Sequence, residues 1–193
     1  VYKRQALAIL NTVTASAAGM VSWLVVERVH TGRPTLVGAS TGLVAGLVVV
    51  TPGAGFVEPW AALVMGLIVS PVCYLAISHL KTKFGYDDAL DAFGCHGIGG
   101  ILGGVLTGLF CAPELSWTGK GGLFYTGDMS LLISQILGIV VTVVIVLVLD
   151  LVIAAVVKAL FHGSLRVDEA DEALGLDASQ HGESAYPSFS GLD

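Results

Sequence analysis

Long apolar runs separated by short polar segments make up most of the chain. A helix needs about 20 apolar residues to cross a bilayer. Five runs reach or approach this length, at approximately 6–26, 36–52, 58–79, 91–111 and 129–160. The second is short and ends at Thr51-Pro52-Gly53, where proline and glycine terminate a helix. The pattern predicts an all-α polytopic membrane helix bundle of five spans over 1–163, followed by a tail over 164–193.

Composition excludes several classes of function. Hydrophobic residues make up 54% of the chain and charged residues 12%, against roughly 25% charged in ordinary soluble domains. The net charge of −6 comes mostly from acidic residues after Arg166, so a nucleic-acid partner is not expected. The three cysteines show no metal-ligand spacing and are interpreted as reduced packing residues. We therefore predict no metal site and no cofactor.

Basic residues indicate the orientation. They lie in the loops "ERVHTGRPT" and "HLKTKFGYDD" and after the last span, whereas the loop "TPGAGFVEPW" has none. Because cytoplasmic loops carry the excess of lysine and arginine, both basic loops and the C-terminus are predicted to be cytoplasmic. The polar tail is too short to form a core of its own. The chain starts at Val1 without an initiator methionine, and we expect it to be the later part of a longer protein.

Glycines recur every four residues in two of the runs. Gly38, Gly42 and Gly46 form one stripe, and Gly100, Gly104 and Gly108 form another. Such stripes let helices approach closely in lipid, so both helices are predicted to be buried in the bundle. The opposite face of the second run carries Thr41, Val44 and Thr51 at helical spacing. This mostly apolar face is typical either of a narrow dry conduit or of a packed core.

The segment "DAFGCHGIGGILGGVLTGLF" places His96 inside an apolar run. An ionisable residue at this depth is costly and points to function, although a core histidine bonded to a backbone carbonyl is an alternative. A haem or metal ligand would need a second intramembrane partner, and His30 and His79 flank loops. Asp87 and Asp88 are expected to cap the helix. Asp91, one turn deeper, is the better candidate for holding a bent backbone or a neighbouring helix.

The stretch "DDALDAFGCHGIGGILGGVLTGLF" resembles the signature of the ammonium transporter family (Amt/Mep/Rh), in its Amt branch. The resemblance continues through "NTVTASAAGMVSWLVVE" and "GRPTLVGASTGLVAGLVVVTPGAGFVEPWAALVMG", and the tail "GSLRVDEADEALGLDASQHGESAYP" is similar to the family's C-terminal pattern. Cys95 stands where valine is usual, and Asp150 has no recognised counterpart. The resemblance covers essentially the whole chain and implies spans seven to eleven of an eleven-span subunit made of two inverted repeats.

The resemblance also implies a function and a site. Family members are trimers in the plasma membrane (the cell inner membrane) that pass ammonium or ammonia through a narrow pore in each subunit, and they are not enzymes. By position, His96 matches the second of two paired pore histidines. Val44, Thr51 and Ala92 match residues lining the cytoplasmic half, with Thr41 nearby and Asp91 near the mouth. The first histidine would lie upstream of Val1. A PII-type regulatory protein is a possible cytoplasmic partner, and an ammonium-sensing membrane module is the alternative function.

Overall fold

The computed structural model describes residues 2–161, 163 and 165–183. These residues form helices joined by turns, with one isolated antiparallel bridge between Val57 and Cys111. The α-helices are α1 (Tyr2–His30), α2 (Leu36–Val50), α3 (Pro59–Leu75), α4 (Lys81–Phe84), α5 (Ile98–Phe110), α6 (Leu123–Thr126), α7 (Ser130–Leu160) and α8 (Glu169–Leu174). Three π-helical segments interrupt or follow them: Ala76–Leu80, Phe93–Gly97 and Asp177–His181. The predicted all-α class is confirmed.

Four continuous helical stretches are long and apolar enough to cross a membrane: Lys3–His30, Pro59–Phe84, Phe93–Phe110 and Ser130–Leu160. Helix α2 is apolar but shorter. It begins after Thr35, whose hydroxyl accepts a hydrogen bond from Gly38 N at 2.9 Å, and it ends where Thr51, Pro52 and Gly53 form a turn. The chain divides into two units, Val1–Thr142 and Val143–Asp193.

Three helices meet around the backbone carbonyl of Ala15, a fully buried residue of α1. A Cβ atom on Gly46 of α2 or on Gly66 of α3 would overlap the Ala15 carbonyl oxygen. One helix turn away, a Cβ atom on Gly19 would overlap the carbonyl oxygen of Gly42. Glycine is therefore required at these positions because the backbones are in direct contact.

Buried polar side chains fix these helices to one another. Asn11 Nδ2 donates hydrogen bonds to the carbonyl oxygens of Ala54 at 2.8 Å and Val57 at 2.7 Å, which holds the turn after α2 against α1. Ser70 Oγ of α3 donates to Gly19 O at 2.6 Å. Since an unpaired polar group in a buried apolar setting is costly, these bonds define the relative positions of α1, α2 and α3.

The second glycine stripe packs α5 against the first part of α7. A Cβ atom on Gly104 would lie 2.8 Å from the Ile139 side chain, and one on Gly108 would lie 2.8 Å from Leu132 Cα. A Cβ atom on Gly100 would meet open space within the described structure. The stripe therefore packs helices at two of its three positions.

A carboxylate organises the aromatic cluster formed by Trp60, Phe110, Phe124 and Tyr125. Glu58 accepts hydrogen bonds from the Tyr125 hydroxyl at 2.6 Å and from Trp60 Nε1 at 2.8 Å. The bond from Tyr125, followed by that from Trp60, lowers the pKa of Glu58 from its ordinary value. Partial burial and the bond to Glu58 raise the pKa of Tyr125 to about 12. The cluster anchors α6 beside the start of α3.

Replacing Gly46 by alanine should destabilise the protein, because the new methyl group would overlap the Ala15 carbonyl. Overpacking of this kind costs about 1–3 kcal/mol. The control is Gly138→Ala on α7, where a Cβ atom meets nothing within 4 Å and alanine is the better helix former. Thermal unfolding in detergent should give a lower midpoint for Gly46→Ala only. Equal midpoints for the two variants would contradict the proposed backbone contact.

Candidate functional site

An open groove of about 540 Å³ lies between α2 and the π segment that precedes α5. Its walls are mostly apolar, with one imidazole and two hydroxyls. The lining residues are Leu36, Val37, Ser40, Thr41, Val44, Leu90, Ala92, Cys95 and His96. The groove thus brings together four of the six residues predicted to form a pathway: Thr41, Val44, Ala92 and His96.

His96 lies in the π segment Phe93–Gly97, immediately before α5. A π segment contains more residues per turn than an α-helix and is frequent at functional sites. It packs on the other π segment, Ala76–Leu80, so closely that a Cβ atom on Gly94 would overlap the Ile77 side chain. Within the described residues no backbone carbonyl accepts a hydrogen bond from the exposed His96 imidazole.

The hydroxyls of α2 bond to their own helix. Thr41 Oγ1 donates to Val37 O at 2.9 Å, and Ser40 Oγ donates to Leu36 O at 3.0 Å. Because each hydroxyl proton is already used, the wall offers oxygen acceptors and methyl groups but no free hydroxyl donor. Thr51 lies at the other end of α2, where Oγ1 donates to Leu47 O at 2.7 Å, and it is not among the groove residues.

Asp91 holds a neighbouring helix and is also absent from the groove lining. Its carboxylate oxygen Oδ1 lies 2.7 Å from Lys81 Nζ of α4, and the same ammonium donates to Asp88 O at 2.6 Å. Asp91 has φ of +53°, the one positive value for a non-glycine residue in the described part of the chain. Such a conformation persists where surrounding contacts hold it, and here Lys81 supplies them.

Asp88 caps the start of the helical segment that carries His96. Its Oδ1 accepts from Ala92 N at 2.8 Å and its Oδ2 accepts from Phe93 N at 2.9 Å. A carboxylate at this place satisfies free N–H groups and interacts favourably with the helix dipole. The capping expected for Asp88 therefore sets the position of Ala92 and of the π segment after it.

The sequence patterns do not predict the pairing of Lys81 with Asp91 or five of the groove residues. Lys81 lies in the basic loop "HLKTKFGYDD", ten residues before Asp91, and there it indicates only orientation. The unpredicted lining residues are Leu36, Val37, Ser40, Leu90 and Cys95. Their lining role could not be inferred from spacing alone, since it depends on the π geometry.

Comparison with known proteins identifies the family. The model of the Ammonium Transporter Family matches residues 1–186. The chain belongs to the ammonium transporter family. It is 49% identical over 179 residues to an ammonium transporter of Bacillus subtilis, covering 93% of this chain and 44% of that protein. It is 46% identical over 179 residues to a putative ammonium transporter of Methanothermobacter thermautotrophicus, with the same coverage. The chain thus spans less than half the length of these relatives.

Solved structures agree with this membership. Mep2 of Saccharomyces cerevisiae matches with a TM-score of 0.77 and 33% identity, covering 86% of this chain and 39% of that one. A structure described as a sensor Amt protein matches with a TM-score of 0.77 and 26% identity, covering 92% of this chain and 42% of that one. The family membership and the apolar helices together show that the chain is an integral membrane protein. The family is one of transporters rather than enzymes.

Replacing Asp88 by alanine should loosen the start of the His96 segment, because both capped amides lose their acceptor. Losing such a cap costs about 1 kcal/mol. Asp88→Asn is the matched control, since its amide oxygen still accepts one of the two bonds. Hydrogen exchange should show faster exchange at Ala92 and Phe93 in Asp88→Ala than in Asp88→Asn. Unchanged protection in both variants would contradict the capping role.

Proposed function

We propose that this chain is part of an ammonium transporter and that the groove beside His96 forms one wall of the substrate pathway. The observation that carries this proposal is the gathering of an exposed imidazole and an apolar helix face around one groove, in a chain of this family. Asp91 and Thr51 complete the proposed pathway outside the groove, Asp91 by holding α4 and Thr51 at the far end of α2.

The apolar wall determines which species passes. Moving ammonium as an ion through a dry apolar passage costs several kcal/mol or more, whereas neutral ammonia does not carry that cost. Deprotonation near a pair of pore histidines, of which this chain supplies His96, would allow ammonia to pass. A neutral imidazole can accept a hydrogen bond from ammonia or relay the proton, and its partner histidine would set the tautomer.

The wider assembly follows from the same proposal. The chain would supply spans seven to eleven, including the short helix α2, and the other wall of the pathway would come from the five-span repeat before it. The basic loops favour a cytoplasmic C-terminus, and a plasma-membrane homotrimer is the assembly that the resemblance implies. A short span such as α2 is tolerated where its end is buried in protein rather than facing lipid, and in this arrangement the preceding repeat would supply that cover.

Replacing His96 by alanine should impair ammonium uptake by at least about tenfold, since a positioned proton-transfer group contributes at least this much. The full-length transporter is reconstituted in liposomes, and uptake is measured together with discrimination against potassium. His30→Leu, assayed in buffer free of transition metals, is the control: it also removes a histidine, but one outside the groove. An unchanged rate and unchanged discrimination in His96→Ala would remove the role assigned to His96.

A second candidate function is ammonium sensing. It is favoured by the likeness to the sensor Amt protein. In this alternative the groove would bind ammonium and signal to a cytoplasmic partner without net flux. Ammonium-dependent change in hydrogen exchange without uptake into liposomes would favour the sensor, and uptake would favour the transporter.

The tail is proposed to regulate transport by contacting a neighbouring subunit, with a PII-type protein as a possible further partner. In the described part, Arg166 Nη2 pairs with Glu172 Oε1 at 2.5 Å, which connects the segment before α8 to the helix itself. Hydrogen bonds from Arg166 lower the pKa of the Glu172 carboxyl. The segment from Ser184 onward, which includes the end of the family-like pattern, lies outside the described residues.

Truncation after Val167 should therefore weaken the trimer or slow transport, because it removes α8 and the rest of the tail. Trimer stability is measured by heating in detergent before size-exclusion chromatography, and uptake is measured in liposomes. Arg166→Gln serves as a companion variant that keeps the tail but loses its pairing with Glu172. A truncated protein with unchanged trimer stability and unchanged uptake would exclude a regulatory contact.

A further inference from the structure

Two histidines that are far apart in the sequence lie side by side at one end of the helix bundle. His30 ends α1, and His79 lies in the π segment that continues α3. Their ring centroids are 6.5 Å apart, and both residues are exposed. The pair is separate from the groove, whose lining contains neither residue.

A row of aromatic contacts between α1 and α3 leads to His30. Trp23 contacts Tyr74 edge-on with a centroid distance of 5.6 Å, and Tyr74 contacts His30 in the same manner at 5.5 Å. The helices beneath are held together by the hydrogen bond from Ser22 Oγ to Leu67 O at 2.8 Å. The two imidazoles therefore belong to neighbouring helical segments that pack on one another, rather than to loops.

The hydrogen bonds of Ser78 determine the tautomer of neutral His79. Ser78 Oγ donates its one proton to Tyr74 O at 2.6 Å. The same oxygen lies 2.8 Å from His79 Nδ1, so His79 must donate from Nδ1 and Ser78 must accept. The lone pair of His79 is then on Nε2. A metal-binding histidine is commonly prepared in this way, with its second nitrogen donating to an outer-shell oxygen.

The distance suits a shared metal ion. With metal–nitrogen bonds of about 2.0 Å, two imidazoles on one ion have ring centroids about 5–6 Å apart, slightly closer than the 6.5 Å found here. Binding would require a side-chain rotation that brings the two rings closer together. Nitrogen ligands favour zinc and copper over magnesium or calcium.

The charged side chains close to the pair in the sequence have partners of their own. The carboxylate of Glu27, one turn before His30 on α1, accepts hydrogen bonds from Thr35 N at 2.7 Å and from Thr35 Oγ1 at 3.1 Å. The neighbouring cations are engaged elsewhere: Arg28 donates to Gly32 O, and Lys81 pairs with Asp91. The described residues hold no cluster of three or more histidine, cysteine or acidic ligands, so water would complete the coordination.

We propose that His30 and His79 form a two-histidine site for a divalent transition-metal ion, with Ser78 as the residue that positions His79. A bound ion would connect the end of α1 to the helix that follows α3. It would stabilise the folded protein in proportion to the logarithm of the metal concentration. This site does not depend on the proposed transport function, because its first readout is metal binding.

The test titrates Zn²⁺ into the full-length protein in detergent by calorimetry, after purification with a tag that contains no histidine. We expect one ion per chain. His30→Leu and His79→Leu should each weaken binding by at least about tenfold, since even loss of an outer-shell partner costs about 10-fold to 100-fold. Ser78→Ala should also weaken binding by about tenfold. With Cu²⁺ as the probe, electron paramagnetic resonance should show two nitrogen ligands in the wild type and one in either histidine variant.

His181→Gln is the matched control. This exposed histidine lies 3.6 Å from Asp177 and forms another histidine-containing pair on the surface. Binding that survives both leucine variants, or that is lost in His181→Gln, would overturn the proposal, as would absence of binding at millimolar Zn²⁺. Thermal unfolding without metal identifies a variant that fails to fold. In that case the Ser78→Ala titration and the wild-type copper spectrum decide the question.

Discussion

Direct backbone contact at Ala15 is the constraint on which the arrangement of the first three helices depends. Gly46 and Gly66 approach the same carbonyl from two different helices, and neither position has room for a Cβ atom. In lipid, where apolar surface gains little from being buried against another helix, such close packing is what holds helices together. The orientation of α2, and with it the groove wall that carries Thr41 and Val44, follows from this contact.

Hydrogen bonds and one ion pair then fix the backbone segments around the groove. Asn11 secures the turn after α2, Asp88 caps the segment that carries His96, and Lys81 holds Asp91 in its unusual backbone conformation. Each of these side chains acts on the backbone of an element that borders the groove, and none of them lines it. The geometry around His96 is therefore maintained by residues that the proposed substrate never touches.

The sequence allowed the helical class and the family to be predicted, because long apolar runs and the motif around His96 are local signals. It did not allow the spatial grouping of the site to be predicted in full. Thr41, Val44, Ala92 and His96 share the groove, whereas Asp91 and Thr51 lie outside its lining. The π segments account for part of the difference, since they change the residue spacing that helix-based reasoning assumes. The approach of His30 to His79 depends on how α1 packs on α3, which no short motif encodes.

Helix α7 differs from the other membrane-length helices in how little of it is covered within the chain. Within the part of the chain that the structure describes, none of its most apolar window is buried, and it is also the most apolar of the four candidates. By contrast, Phe93–Phe110 is less apolar and partly covered by its neighbours, and α2 is short. During biosynthesis, α7 can therefore enter the bilayer on its own hydrophobicity, whereas α2 and the His96 segment rely on partner helices for retention.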